Sequence, residues 1–181
     1  MKNNFLYFFL ILFFGITPLN FTHANEQFIF EITEIEISND GNLIIGSKSG
    51  KAETDDGYQI TAENFIYNKS KNILNVSGNV KFFDQKENFT ITSDKATYQK
   101  LDDIIFTKGN SKAESENNII TAENFKFDRA KNILTANNKV KYTNGDQEFT
   151  ITSDKATYQK LDDIIFTKGN SKAESENNII T

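Results

Sequence analysis

The feature that most constrains the fold of this chain is an internal repeat with a period of about 30 residues. Related segments of the form ITxxxxxY or ITxxxxxF begin at Ile60, Ile91, Ile120 and Ile151, at nearly even spacing. Residues 89–121 also recur unchanged as residues 149–181. Counting back one unit reaches FEITEIEI at Phe30, so about five units are present and a sixth begins at Ile180. Such an array builds one small structural unit per repeat and stacks the units side by side.

Each unit predicts two β-strands joined by short polar turns. The second strand alternates strictly, because one face carries Leu74, Val76, Val80 and Phe82 and the other carries Asn75, Ser77, Asn79 and Lys81. Strict alternation is typical of a strand with one buried face. Turn sequences such as Asp55-Asp56-Gly57 separate the strands. We therefore predict an all-β chain that gains two strands per unit.

The first strand of each unit carries a change of phase. Ile60 and Ala62 share a face, but the next apolar pair is Phe65 and Tyr67, one position out of step. The same slip recurs in all five units. One extra residue in a strand forms a β-bulge, which bends the strand and re-aims its side chains. Repeated in register, it predicts a sheet that is creased along one line and folds into two layers.

The first 24 residues read as a secretory signal. Lys2 is followed by an apolar run from Phe5 to Ile16 and by Thr22-His23-Ala24, which suits cleavage after Ala24. The alternative is a retained membrane anchor, but the run is shorter than the roughly 20 residues of a spanning helix. We expect an exported chain whose single domain covers residues 25–181.

Composition argues against an enzyme. The chain has no Cys, and its only His lies in the proposed signal. This excludes His- or Cys-based nucleophiles and zinc sites, so we predict no catalytic residue, no metal and no cofactor. A net charge of −5 also disfavours nucleic acid as a partner. The acidic pairs, such as Asp102-Asp103, read as solvated turns. Arg129 reads as a turn residue, with contact to lipid phosphates as the alternative.

The repeat resembles a known family. The pattern I-T-[AS]-[ED]-x-[FA]-x-[YF], followed by N-I-L and by Gly78-Asn79-Val80-Lys81-Phe82, is similar to the OstA-like repeat of the lipopolysaccharide transport proteins LptA, LptC and the N-terminal domain of LptD. The resemblance covers about Phe28 to Thr181. The opening segment from Phe30 to Gly57 resembles the start of an LptD N-terminal region more than LptA.

The resemblance implies a periplasmic β-jellyroll that carries lipopolysaccharide toward the outer membrane. In that family, an apolar groove between two layers holds the acyl chains, and protomers join head to tail through edge strands. The implied partners are lipopolysaccharide, other Lpt-type jellyrolls and the outer-membrane translocon. Two placements stay open, a stand-alone LptA-like carrier and an LptD N-terminal fragment. Because the sequence stops two residues into a unit, we expect the domain to be truncated at its C-terminal end.

Thirteen apolar residues are candidates for the lipid groove, although ordinary core packing explains the same alternation. They are Phe65, Tyr67, Leu74, Val76, Val80, Phe82, Ile91, Tyr98, Phe125, Phe127, Leu134, Val140 and Tyr142. A second hypothesis is a structural or adhesive β-repeat protein that binds other proteins through its strand edges. The phase slip favours the creased jellyroll, because a plain solenoid would not need it.

Overall fold

The computed structural model describes residues 28–146, 149–175 and 178–180, which leaves the proposed signal, residues 1–24, outside the described residues. The strands are β1 (Ile29–Ser38), β2 (Leu43–Glu53), β3 (Tyr58–Ala62), β4 (Asn64–Asn68), β5 (Ile73–Asp84), β6 (Phe89–Gln99), β7 (Ile104–Lys108), β8 (Ser111–Glu114), β9 (Asn118–Ala122), β10 (Asn124–Asp128), β11 (Ile133–Asn144), β12 (Phe149–Gln159), β13 (Ile164–Lys168), β14 (Lys172–Ser175) and β15 (Asn178–Ile180). Nowhere in these ranges is there a helix with the length and hydrophobicity needed to cross a membrane.

The strands form one antiparallel sheet in which each long strand pairs with the strands before and after it in the chain. For example, β5 pairs with β6 over its length and, on its other side, with β3 and β4. The pairs β3/β4, β7/β8, β9/β10 and β13/β14 are each one long strand interrupted near its middle. Counted in this way, each unit contributes two strands, as the repeat predicts.

The sheet bends where two residues of one strand face a single residue of its neighbour. Gly78 and Asn79 of β5 lie opposite Asp94 of β6, and the register shifts there. Both residues have positive φ, 79° and 47°. Asn138 and Lys139 of β11 occupy the same conformation with φ of 65° and 52°. We call the line through these positions the crease.

The structure assigns the extra residue of the bulge to a different strand from the one that shows the slip. β5 keeps its alternation throughout, whereas β6 buries Ile91 and Ser93 and then Ala96 and Tyr98. The phase change therefore shows in the first strand of the unit, although the second strand supplies the additional residue. Gly78 and Asn79 of β5, which we call the left-handed pair because both have positive φ, accommodate that residue. The side chains of β5 on either side of the pair therefore keep facing the same layer surface.

Hydrogen bonds cross the crease and replace the interrupted ladder. The backbone N–H of Glu63 donates to the Gly78 carbonyl at 2.9 Å, and the Asp94 N–H donates to the Gly109 carbonyl at 3.0 Å. At successive bends a carboxylate also accepts a hydrogen bond from an asparagine of the left-handed pair. These pairs are Asn79–Glu63 at 2.6 Å, Asn110–Asp94 at 3.0 Å, Asn138–Glu123 at 3.2 Å and Asn170–Asp154 at 2.9 Å.

The crease divides the sheet into two facing layers with the core between them. Layer A contains β4, β7, β10, β13 and the halves of the longer strands that pair with them. Layer B contains β3, β8, β9, β14, β15 and the remaining halves. Rings meet across the gap, as for Phe82 of layer B and Tyr98 of layer A at 6.3 Å. Each layer thus covers the apolar face of the other, which gives the predicted all-β, creased two-layer jellyroll.

Replacing Gly78 tests how tightly the crease is built. A Cβ added at Gly78 would lie 2.8 Å from the Cβ of Glu63, and a β-branched residue strongly disfavours positive φ. We expect Gly78→Val to lower the free energy of unfolding by roughly 2–3 kcal/mol. Gly78→Asn should cost less than about 1 kcal/mol, since Asn138 adopts this conformation in the later unit. Urea unfolding measures both, and equal losses would contradict this account of the crease.

Candidate functional site: the space between the layers and its mouth

All thirteen groove candidates lie between the two layers and are buried, each with a relative exposure of at most 4%. Eight project from layer A, namely Phe65, Tyr67, Leu74, Val76, Tyr98, Phe125, Phe127 and Leu134. Five project from layer B, namely Val80, Phe82, Ile91, Val140 and Tyr142. Cross-strand partners such as Phe65 with Val76 and Tyr67 with Leu74 make the lining continuous from strand to strand. The structure therefore brings the predicted set into one apolar interior.

Sequence reasoning missed several residues of the same interior. Ile60, Ile105 and Ile120 are each at most 2% exposed and belong to the same core cluster. Ile60 and Ile120 open the repeated segment, so the repeat itself was a usable signal. Ile105 lies in the run Ile104-Ile105-Phe106, where every residue is apolar and alternation does not show which side chain faces inward.

The interior is filled by the protein's own side chains. Phe89 of layer B lies 5.2 Å from Phe127 of layer A, and Tyr142 lies 6.2 Å from Tyr158. A cavity lined by Phe82, Phe127 and neighbouring side chains has a volume of only about 10 Å³. An acyl chain can therefore enter only if the two layers move apart or the rings change rotamer.

The turns lie at the ends of both layers away from the crease, and this side is the mouth of the interior. One basic residue occupies the same position in four successive units: Lys69, Lys100, Arg129 and Lys160. Its backbone N–H donates to the preceding turn, as from Lys100 to the Asn72 carbonyl at 3.0 Å and from Arg129 to the Asp103 carbonyl at 3.1 Å. The turns of layer A are thereby stacked on one another.

Arg129 closes the mouth with a buried guanidinium, a role that its turn sequence does not reveal. Its side chain is 4% exposed and forms ion pairs with Asp56 at 2.8 Å and Asp103 at 2.6 Å. The guanidinium carbon lies 3.1 Å from the centre of the Tyr58 ring, and Nη1 donates to the Tyr98 hydroxyl. Since Asp56 and Tyr58 belong to layer B, Arg129 joins the two layers.

Lys160 makes a similar connection one unit later. Its ammonium pairs with Glu87 at 2.7 Å and lies 5.2 Å from the centre of the Phe89 ring. The Nζ atom of Lys100 lies 5.0 Å from the centre of the Phe28 ring. The polar contacts of Arg129 with Asp56 and of Lys160 with Glu87 each span 73 positions of the chain. We call the contacts made by Lys100, Arg129 and Lys160 the mouth clips.

Burial and charge shift the acid–base behaviour of the Arg129 cluster. Burial raises the pKa of Tyr58 to about 12 and also raises the pKa of Tyr98, so both hydroxyls stay protonated at neutral pH. Burial acts to raise the pKa of Asp56, but hydrogen bonds from Thr54 and Arg129 outweigh it and hold that pKa below its usual value. The cluster therefore pairs a permanent guanidinium cation with an ionised Asp56 carboxylate and two protonated tyrosine hydroxyls.

Three acidic turn residues make polar contacts at the mouth. Asp56 and Asp103 direct their oxygens at Arg129. Asp163 accepts hydrogen bonds from Tyr158 and Asn118, both at 2.8 Å. Within the described ranges there is no group of three or more His, Cys, Asp or Glu side chains that could hold a metal ion.

Comparisons with known proteins agree with this architecture. A protein-family model described as "Lipopolysaccharide-assembly, LptC-related" matches residues 43–145. No curated protein sequence matches the chain. Among solved structures, LptH, the LptA-homologous periplasmic component of the lipopolysaccharide transport device of Pseudomonas aeruginosa, superposes with a TM-score of 0.57. It is 11% identical in sequence, and the match covers 64% of this chain and 84% of LptH. This likeness confirms the jellyroll fold.

Removing the guanidinium of Arg129 should destabilise the protein far more than removing an exposed cation nearby. Arg129→Leu leaves two carboxylates without their counter-ion and removes the ring contact with Tyr58. We expect a loss of about 2–3 kcal/mol in the free energy of unfolding. The matched control is Lys131→Ala, whose exposed ammonium pairs with Asp128 and contributes less than about 0.5 kcal/mol. Equal effects would show that Arg129 does not join the layers.

Acid should weaken the same clip. The folded pKa of Asp56 lies below its unfolded value, so its contribution is present above about pH 4 and is lost as the pH falls through the folded pKa. Asp56→Asn should therefore lose less stability than the parent protein between about pH 5 and pH 2.5. Urea unfolding across that range measures the difference. The matched control is Asp55→Asn, because Asp55 is an exposed neighbour in the same turn, and an equal change in the two variants would contradict the assignment to Asp56.

Proposed function

The chain belongs to the LptC-related family of lipopolysaccharide-assembly proteins, and on that premise we propose that it is a periplasmic lipopolysaccharide carrier and bridge. In this proposal the acyl chains of lipopolysaccharide lie between the layers, against the thirteen buried residues named above. The protein moves its cargo by binding and release, with no catalytic step and no cofactor. The observation that carries the proposal is the continuous apolar interior that runs through every unit between two sheet layers.

The packed interior implies that loading opens the jellyroll. Two layers that meet at a crease can part on the opposite side, at the mouth, where the clips hold them. The polar clips are also the first groups that an amphiphile meets on its way in. Apolar burial then offsets the cost of opening, at about 0.8 kcal/mol for each CH₂ group taken out of water.

Assembly with other jellyrolls is the second part of the proposal. Among the described strands, β1 pairs with β2 alone, and β15 pairs with β14 alone. An edge strand with unpaired backbone groups accepts a strand from another protein, and a head-to-tail contact repeats into a filament. We propose that such contacts join this protein to other Lpt-type jellyrolls and to the outer-membrane translocon. The same edges would serve a purely adhesive repeat protein, but that function gives the interior no ligand.

Two positions in the export path fit the proposal. A stand-alone protein would work like LptA, whereas a continuous reading frame into a membrane domain would make this chain an LptD-like N-terminal region. The segment from Phe30 to Gly57 supports the LptD-like position. A single long sequencing read through codon 181 of the gene decides between them.

Site-specific photo-crosslinking tests the interior as the lipid site. Phe82 and Lys81 are neighbours on β5, but Phe82 is 4% exposed and faces the interior while Lys81 lies on the outer face. We expect a benzophenone side chain at position 82 to capture lipopolysaccharide and one at position 81 to capture little. Circular dichroism of both variants checks that the fold is retained. Equal capture at the two positions would contradict the proposed function.

A further inference from the structure

The outer face of layer A carries a cleft of about 500 Å³, on the opposite side of the sheet from the interior. Its two apolar walls are Ile66 of β4 and Phe106 of β7, which are 47% and 37% exposed. Between them, Asn75 and Thr97 complete one row of cross-strand partners. At about 4.8 Å per strand, the walls stand roughly 14 Å apart.

The floor and ends of this cleft are made of amide and hydroxyl groups. The floor contains Asn75, Ser77 and Thr97, and Asn64 and Asn124 close its ends. The Thr97 hydroxyl donates to the side-chain oxygen Oδ1 of Asn75 at 2.7 Å. A side-chain amide offers two donors and an acceptor, and a hydroxyl offers one donor and two acceptors. The floor can therefore bind a ligand that carries both hydrogen-bond donors and hydrogen-bond acceptors.

Two lysines stand at the crease side of the cleft with their charges side by side. Lys95 and Lys108 are direct cross-strand partners and both are exposed. Like charges in this position repel each other. In the part of the chain that the structure describes, neither ammonium forms an ion pair with a carboxylate. An anion placed between them would relieve the repulsion and make charge-assisted hydrogen bonds.

We propose that this cleft binds an acidic saccharide, that is, a sugar carrying a phosphate or carboxylate group. The sugar hydroxyls bind the amides and hydroxyls of the floor, the acidic group lies between Lys95 and Lys108, and the ring packs on Phe106. The volume lies within the range of about 300–1,000 Å³ that is usual for small-ligand sites. An acidic peptide fits less well, because the floor presents no free strand edge and no apolar pocket for a side chain.

The repeat supplies a matched control within the same molecule. Lys155, Lys168 and Phe166 lie in the unchanged copy of the segment that contains Lys95, Lys108 and Phe106. In that copy, the row of partners runs through Lys126 and Thr135 instead of Ile66 and Asn75. The lysine pair and the phenylalanine wall are thus retained, whereas Lys126 replaces the Ile66 wall and the floor positions of Asn75 and Ser77 become Thr135 and Asn137.

Nuclear magnetic resonance titration of the ¹⁵N-labelled protein tests the proposal with three probes: trehalose 6-phosphate, trehalose and inorganic phosphate. We expect trehalose 6-phosphate to shift the amide signals of Thr97 and Lys108 in a saturable manner, with the other two probes at least about tenfold weaker. The double variant K95Q/K108Q should weaken binding of the sugar phosphate by about tenfold or more. K155Q/K168Q should leave it within about twofold.

Several results would overturn the proposal. One is an equal response to inorganic phosphate, which means that the lysines bind any anion. Another is an equal loss of affinity in K95Q/K108Q and K155Q/K168Q, which would show that either lysine pair binds the sugar phosphate without the rest of the cleft. A third is saturable binding of a glutamate-rich peptide at the same amides without a response to the sugar phosphate.

Thermal unfolding of K95Q/K108Q separates binding from folding, since removal of like charges should leave stability unchanged or higher. Because the cleft and the interior lie on opposite sides of the sheet, photo-crosslinking at Phe82 can fail while this binding succeeds, and the reverse.

Discussion

A sheet with one apolar face is not stable in water until something covers that face, and this chain covers it with the other half of the same sheet. Everything else in the structure follows from this solution. The strands must be long enough to contribute to both layers, and each must bend at the same height. Both halves of each strand must point their apolar side chains into the interior. A one-residue shift in register at the bend would instead point the apolar side chains of one half toward solvent.

The crease meets this requirement with local chemistry. Two left-handed residues in one strand and a carboxylate in the next restore the alternation after the bend, and their hydrogen bonds occupy the backbone groups that the interrupted ladder leaves free. Because the positions recur with the repeat, the bends align across all units. Glycine is well suited to this conformation, but Asn138 and Lys139 show that the surrounding structure can also hold side chains there.

The sequence predicts features that depend on neighbouring residues within one unit. It does not predict contacts between residues that are far apart in the chain and meet only in the folded layers. Alternation in Leu74–Phe82 and the phase slip in each first strand predict the interior and the crease, since both are set by neighbouring residues. Arg129 is different, because its partners Asp56 and Tyr58 lie more than two units back in the chain and the turn sequence around it is ordinary. The outer cleft cannot be predicted from the sequence for the same reason, since three successive strand pairings are needed to place Ile66 and Phe106 on either side of it. The bulge was predicted for the right place, but the register was needed to show which strand supplies the extra residue.

The offset of the mouth clips has a consequence for how such a chain can grow. Equivalent strands recur once per unit, whereas the clips of Arg129 and Lys160 reach back 73 positions, past the adjoining unit. If a block of two units is duplicated, the basic residue in the new block therefore has an acidic turn of the preceding block at the same separation of 73 positions. Lengthening by copying needs no newly evolved contact on the mouth side. The same long reach makes distant units interdependent, so that this array loses and gains structure over longer stretches than a solenoid whose units touch only their immediate neighbours.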